Sequence, residues 1–260
     1  MREFKSVEGW IRKHFFIYRA VRSAAPFLCR FFTLEEGFEF LDTIQPLGQE
    51  FVILDIGAND GTSIRMIRQF HRTAKIVAFD PITKPKFTLD GIDFRTLALG
   101  EIEATQQIFT PVVRNFPLTQ YSSVYKEKLL NQVIHDLGVR PSQVELQVNT
   151  IEITKLDSLQ LAPYFIKLDV EGSELEVLRG GRETISRYQP SILIEIQNAS
   201  TYRLVKEFFE SLEYTSIATK PRRNLTRSNC VVNFTEEYDP KFNNYIWVPR
   251  NPSISWRFTR

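Results

Sequence analysis

The apolar positions of the chain fall first into short runs and then into helical stripes. Phe51-Val52-Ile53-Leu54-Asp55-Ile56 and Ala74-Lys75-Ile76-Val77-Ala78-Phe79 are nearly continuous apolar stretches, the pattern of parallel strands covered on both faces. Residues 62–70 between them read as a helix. Phe94 to Leu99 reads as a third strand, with Gly100-Glu101 as its exit turn, and Phe165 to Asp169 as another. Tyr245-Ile246-Trp247-Val248 reads as the last. In residues 201–213, Leu204, Val205, Phe208, Phe209 and Leu212 fall on one helical face and are expected in the core. Residues 111–147, interrupted by Pro111, Pro117, Gly138 and Pro141, resemble an insertion that could build a lid over an acceptor.

The first 33 residues differ from the rest. They carry seven basic side chains against two acidic ones, interleaved with Trp10, Phe15, Phe16, Tyr18, Phe27, Phe31 and Phe32. Ile11, Phe15, Tyr18 and Arg22 step at helical spacing, and Pro26 ends or kinks that helix. Two readings stay open: a helix packed by its aromatic side on the following domain, or a basic amphipathic helix on an anionic membrane surface. We therefore expect a helical N-terminal extension over 1–45 and one domain over 46–260.

Composition narrows the class. The chain has 260 residues, 43% hydrophobic and 25% charged, which excludes a disordered or low-complexity protein. A formal net charge of +2 gives no reason to expect a nucleic-acid partner. Cys29 and Cys230 are too few for a disulfide scaffold and lack zinc spacing. No apolar run approaches the ~20 residues of a spanning helix, and the N-terminus lacks the pattern of a secretory signal. A cytoplasmic protein is expected.

The chemistry begins at Gly57-Ala58-Asn59-Asp60-Gly61, between the first strand and the first helix. Asp80 closes the second strand, so strand, glycine turn, helix, strand and acid form a nucleotide-binding unit. Gly57 and Gly61 let the backbone turn tightly, and Asp80 is suited to accept both hydroxyls of a ribose. A dinucleotide fingerprint fails twice, because its second and third glycines fall on Asn59 and Thr62. Asp55 and Asp60 beside the turn suit a cationic or zwitterionic ligand better than a pyrophosphate. S-adenosylmethionine, a sulfonium with an amino acid moiety, is such a ligand. The plainer role for both acids is to support the helix start.

Two blocks of sequence carry a family resemblance. Leu54-Asp55-Ile56-Gly57-Ala58-Asn59-Asp60-Gly61 resembles the first motif of FkbM-type methyltransferases, and Phe165-Ile166-Lys167-Leu168-Asp169-Val170-Glu171-Gly172-Ser173-Glu174-Leu175-Glu176-Val177-Leu178-Arg179-Gly180-Gly181 resembles their hallmark string. Thr154 to Leu159 is similar to the lead-in of that string, and Pro190 to Ile196 to the strand after it. The resemblance covers roughly residues 50–248. It implies an α/β, Rossmann-like, doubly wound and mostly parallel sheet with helices on both faces. It also implies S-adenosylmethionine as cofactor and methyl transfer to an oxygen of a sugar or polyketide-like acceptor. Asp55, Gly57, Ala58, Asn59, Gly61 and Asp80 would hold the cofactor. Leu99 would lie by its adenine, and Ser122-Ser123 would form a small polar loop near the site. At Asp80 the family often has Glu, a carboxylate one carbon longer.

Lys167, Asp169, Glu171 and Glu174 cluster where the second block leaves its strand. Ser173 and Glu176 match a capping box, Leu175 and Leu178 share the inner helix face, and Gly180-Gly181 would weaken or end the helix. Transfer from a sulfonium needs the acceptor aligned and its proton removed. Asp169 is the first choice for that base and Glu171 the second, with Lys167 holding one carboxylate ionised. Acids in a first helical turn are also favoured by the helix dipole alone. Hard oxygen ligands at Asp169, Glu171 and Glu195 would suit magnesium, though no spacing demands it. The expected activity is O-methylation of a carbohydrate or natural-product hydroxyl. A scaffold that binds cofactor without transfer, and a nicotinamide oxidoreductase, are the rivals.

Overall fold

A computed structural model of the chain describes residues 37–43, 52–85, 87, 90–219, 232–234, 237–240 and 242–250. The aromatic, basic segment 1–33, the run Lys220 to Arg223 with Arg227, and both cysteines lie outside them.

Strands β1 (Val52–Ile56), β2 (Lys75–Phe79) and β3 (Ile92–Arg95) pair in parallel, with β1 also parallel to β8 (Phe165–Leu168) and β8 to β9 (Ser191–Glu195). Strand β12 (Asn244–Pro249) runs antiparallel between β9 and β10 (Tyr214–Thr219), and β11 (Val232–Phe234) closes that edge. The order β11-β10-β12-β9-β8-β1-β2-β3 reverses at β1 and β8. That is the switch point at whose carboxyl edge ligands bind in open α/β sheets.

Alternation splits the buried strands between two layers. Leu54, Ile56, Val77, Phe79, Ile166, Leu168, Ile192 and Ile194 face one layer, under α3 (Glu174–Gly180), α4 (Arg182–Tyr188) and α5 (Ala199–Glu210). Ile53, Ile76, Ala78, Phe165 and Leu193 face the other, under α1 (Thr62–Phe70) and the 3-10 turn Phe38–Thr43. That turn belongs to the segment expected as an extension, yet Phe38, Phe40 and Leu41 pack in the domain core. His71 Nε2 lies 2.7 Å from the Leu41 carbonyl and ties the turn to the end of α1.

Helix α5 starts at Ala199, two residues before the expected Thr201, and Asn198 Oδ1 caps it by accepting the Thr201 N–H at 2.9 Å. Leu204, expected in the core, is exposed, and Tyr202 takes the inner face instead. No helix among the described residues is long and apolar enough to cross a membrane.

The expected insertion is a second sheet. Its strands β4 (Ala98–Leu99), β7 (Val144–Thr154), β5 (Ala104–Val113) and β6 (Phe116–Pro117) lie in the order β4-β7-β5-β6. Phe94 to Leu99 is therefore not one strand: β3 ends at Arg95 in the main sheet, and β4 belongs to the second. Helix α2 (Lys126–Leu137) packs on this sheet through Leu129, Val133 and Leu137, against Val113, Leu118 and Tyr121. Gly180 marks where the two units touch. A Cβ there would stand 1.9 Å from the Gly100 carbonyl oxygen.

Candidate active site

Two turns leave adjacent strands at the switch point. The first, after β1, folds through Gly57 (φ 84°), Asn59 (φ 45°) and Gly61 (φ 83°), conformations that glycine and asparagine tolerate best. Four of its N–H groups and the first of the helix are spent internally. Those of Gly57 and Ala58 both donate to the Phe79 carbonyl, at 2.9 and 3.0 Å, and that of Gly61 donates to the Ala58 carbonyl at 2.9 Å. The Asn59 N–H donates to Asp80 Oδ2 at 3.0 Å, and the Thr62 N–H to Asp60 Oδ1 at 3.1 Å. These five N–H groups are therefore not free to form a phosphate nest.

Asp60 thus supports the helix start, as its plainer reading has it. Asp55 does not. It points from β1 into the layer under α1, fully buried, with Oδ2 accepting the Ser63 hydroxyl at 2.6 Å. Asp55 is the cross-strand partner of Lys167 in β8, and Lys167 Nζ stands 3.8 Å from Oδ1, which makes no hydrogen bond. Burial raises the Asp55 carboxyl above its usual range, and Lys167 opposes that rise most strongly. Asp55 therefore sits beneath the turn as a prop, and does not face a ligand.

Asp80 closes β2 at the rim. Oδ1 accepts the N–H groups of Ile82 and Thr83 at 2.9 and 2.7 Å, while Oδ2 accepts that of Asn59. An ionised carboxylate offers about four acceptor positions, so three are filled and one remains, on Oδ2. That leaves room for one further donor, where the sequence led us to expect acceptor positions for two. Leu99 is buried in the main core.

The second turn follows β8. Lys167 Nζ donates to Asp169 Oδ2 at 3.1 Å and to the Gly57 carbonyl at 3.1 Å, so one buried cation joins both turns. The backbones also meet, since the Asp169 N–H donates to the Ile56 carbonyl at 3.0 Å and a Cβ on Gly57 would lie 1.7 Å from the Asp169 carbonyl oxygen. Gly57 is required by this approach of the two turns. Asp169 is partly exposed, and with Phe38, Lys167, Glu195 and Asn244 it lines a small pocket at the ends of β8, β9 and β12.

The three acids of this turn separate in role. Glu174 is buried and folds back, its Oε1 accepting the Gly172 and Val170 N–H groups at 2.9 and 3.3 Å. The expected capping box is not formed, because Ser173 makes no side-chain cap and Glu174 holds the turn instead. Glu171 lies at φ 54°, with Gln197 Nε2 3.4 Å from Oε2. Burial first, then the charges of Asp169 and Glu174, push its carboxyl up to about 8. Asp169, Glu171 and Glu195 do not converge as a ligand set, and no cluster of three metal-binding side chains occurs among the described residues.

Glu171 gives a pH dependence with a definite sign. Its folded-state value exceeds the ordinary carboxyl value, so between about 4.5 and about 8 the native state binds the extra proton. The stability associated with it is fully present below that interval and is lost as pH rises through it. Thermal midpoints measured from pH 5 to pH 8 should fall less steeply in Glu171→Gln than in the natural protein. Parallel slopes would show that this carboxyl keeps its ordinary value.

The second sheet reaches this edge. Tyr125 donates its hydroxyl to Glu176 Oε1 at 3.0 Å, and Ser123 Oγ donates to the Glu171 carbonyl at 3.1 Å. Thr119 Oγ1 donates to Asn59 Oδ1 at 2.8 Å. Thr119 carries no motif and lies 60 residues from its partner, so nothing local in the sequence points to it.

No curated protein sequence matches the chain significantly. An FkbM methyltransferase from Methylobacillus flagellatus KT aligns over 80% of this chain and 47% of its own, at 17% identity and a TM-score of 0.43. The chain thus spans about half the length of that structure. A precorrin-6y C5,15-methyltransferase from Geobacter metallireducens GS-15 aligns over 81% of this chain and 84% of its own, at 11% identity and a TM-score of 0.37. An S-adenosylmethionine-dependent O-methyltransferase from Thermotoga maritima aligns over 83% and 64%, at 10% identity and a TM-score of 0.30. Residues 55–220 match the methyltransferase FkbM domain, from the first glycine turn through the Lys167-to-Gly181 block. The chain belongs to the FkbM family of methyltransferases, and S-adenosylmethionine is the cofactor this membership implies.

Proposed function

We propose that the protein is an S-adenosylmethionine-dependent O-methyltransferase acting on a hydroxyl of a carbohydrate or natural-product acceptor. The observation that carries the reading is the ion-paired, partly exposed Asp169 carboxylate, held by Lys167 directly beside the glycine turn. The cofactor fits the residues around it. Asp80 keeps one acceptor position for a ribose hydroxyl, and the turn, with four of its N–H groups spent internally and acidic Asp60 beside it, suits a pyrophosphate poorly. Bound there, the cofactor supplies a methyl carbon on a sulfonium leaving group.

The chain's own part is alignment and proton removal. A neutral hydroxyl gains a methyl group only as it gives up its proton, and a positioned carboxylate speeds that step. Asp169 is the group for it, since Glu174 is tied to its own loop and Glu171, raised to about 8, holds its proton at neutral pH. Lys167 fixes the direction of the Asp169 carboxylate. Asn244 and Glu195 line the same pocket.

Calorimetric titration with S-adenosylhomocysteine, with NAD as control, tests the cofactor. The natural chain should bind the first and not the second, and Asp80→Ala should lose the binding with its fold intact. Binding of NAD alone would overturn the reading. Unchanged affinity in Asp80→Ala would remove that residue from the site.

A further inference from the structure

Two residues other than glycine sit in the left-handed region at this site, Asn59 at φ 45° and Glu171 at φ 54°. Such conformations persist where the surroundings impose them. Both residues are held from one short stretch of the second sheet. Thr119 Oγ1 bonds the Asn59 side chain at 2.8 Å, and Ser123 Oγ bonds the Glu171 carbonyl at 3.1 Å. The stretch is itself anchored. Phe109 and Ser123 exchange two backbone hydrogen bonds, at 3.0 and 3.1 Å, and the Leu118 N–H donates to the Pro111 carbonyl at 2.8 Å. Leu118 and Tyr121 are buried in the small core under α2. The hydroxyls are therefore presented by a packed unit rather than by a loose loop.

What Thr119 holds matters for what Asn59 does next. The Asn59 N–H donates to Asp80 Oδ2, the oxygen that keeps an open acceptor position. A hydrogen bond on the Asn59 side chain restrains this residue in its left-handed conformation, the one that aims its N–H at the Asp80 carboxylate. We infer that Thr119 is a positioning residue for cofactor binding, acting through Asn59 and Asp80 from a different sheet. The inference rests on the S-adenosylmethionine reading above. Ser123 holds the other turn and is the natural control.

The test is calorimetric titration of the full chain with S-adenosylhomocysteine, alongside thermal midpoints without ligand. Thr119→Val should raise Kd roughly fivefold, the scale of one neutral hydrogen bond. Thr119→Ser restores the hydroxyl and should bind within about twofold of the natural chain, as should Ser123→Ala. Binding by Thr119→Val equal to the natural chain overturns the inference. So does Thr119→Ser as weak as Thr119→Val, or Ser123→Ala as weak as either, since the loss would then reflect general loosening of the insertion. Failure of the natural chain to bind S-adenosylhomocysteine at all is a separate result, which removes the cofactor reading and this inference together.

Discussion

Asp169→Asn is expected to cut methyl transfer by about a hundredfold or more while leaving S-adenosylhomocysteine affinity within about tenfold. Asparagine keeps the shape of the side chain, and its amide oxygen can still accept from Lys167 Nζ, now 3.1 Å from Asp169 Oδ2. It cannot take a proton from a hydroxyl. Positioned general bases contribute about 10²- to 10⁴-fold, so the loss should fall in that range. A tenfold change in affinity corresponds to ~1.4 kcal/mol, more than a side chain beside the ligand should cost when its shape is kept. The assay is release of S-adenosylhomocysteine across a panel of sugar and polyol acceptors, on any acceptor the natural chain methylates. Turnover near the natural rate would discard Asp169 as the base. Glu171→Gln is the companion variant, and a larger loss there would pass the role to Glu171.

Much of this site was legible because buried parallel strands announce themselves. Val52 to Ile56 and Phe165 to Leu168 are apolar on both faces, so a charged residue inside either run needs a reason. Asp55 and Lys167 supply each other's reason, being direct partners across β1 and β8. Pairing register, however, is not written in either strand alone. The sequence therefore offered Asp55 as a ligand-facing acid, and only the register turned it inward.

The acids after β8 were less legible. Asp169, Glu171 and Glu174 lie within six residues and are chemically alike. Their separation depends on a backbone that passes through φ 54° at Glu171 and 109° at Gly172, bringing Glu174 back onto the N–H groups it follows. The second sheet was illegible for a different reason. In β7, Val144 and Leu146 pack toward α2, whereas in its second half the less exposed positions are Asn149, Ile151 and Ile153, of the opposite parity. The paired register with β5 runs unbroken from Ala104 to Val113, so the strand changes its buried face without a bulge. A single period of two cannot describe such a strand, so its pattern did not announce one.

Lys167→Met is the second large effect, and it falls on stability. Methionine matches the lysine stem but removes a buried cation that bonds Asp169 and the Gly57 carbonyl and faces Asp55 across 3.8 Å. Asp55 is then a fully buried carboxylate with only the Ser63 hydroxyl as partner, and its Oδ1 already lacks a hydrogen bond. Removing one member of a buried pair typically costs about 3–5 kcal/mol, against a total stability of about 5–15 kcal/mol for a domain. The sign with pH follows from Asp55. Burial already raises its carboxyl, and loss of Lys167 raises it further. Stability of the variant is therefore retained in acid, below the ordinary carboxyl value, and is lost progressively as pH rises through the elevated one. Urea denaturation at pH 5 and pH 8 should show the larger deficit at pH 8. The double variant Asp55→Asn with Lys167→Met removes the stranded charge, and should recover part of the loss at pH 8. A deficit equal at both pH values, or no recovery in the double variant, would mean that Lys167 stabilises the switch point through its bonds to Gly57 and Asp169 and not by balancing Asp55.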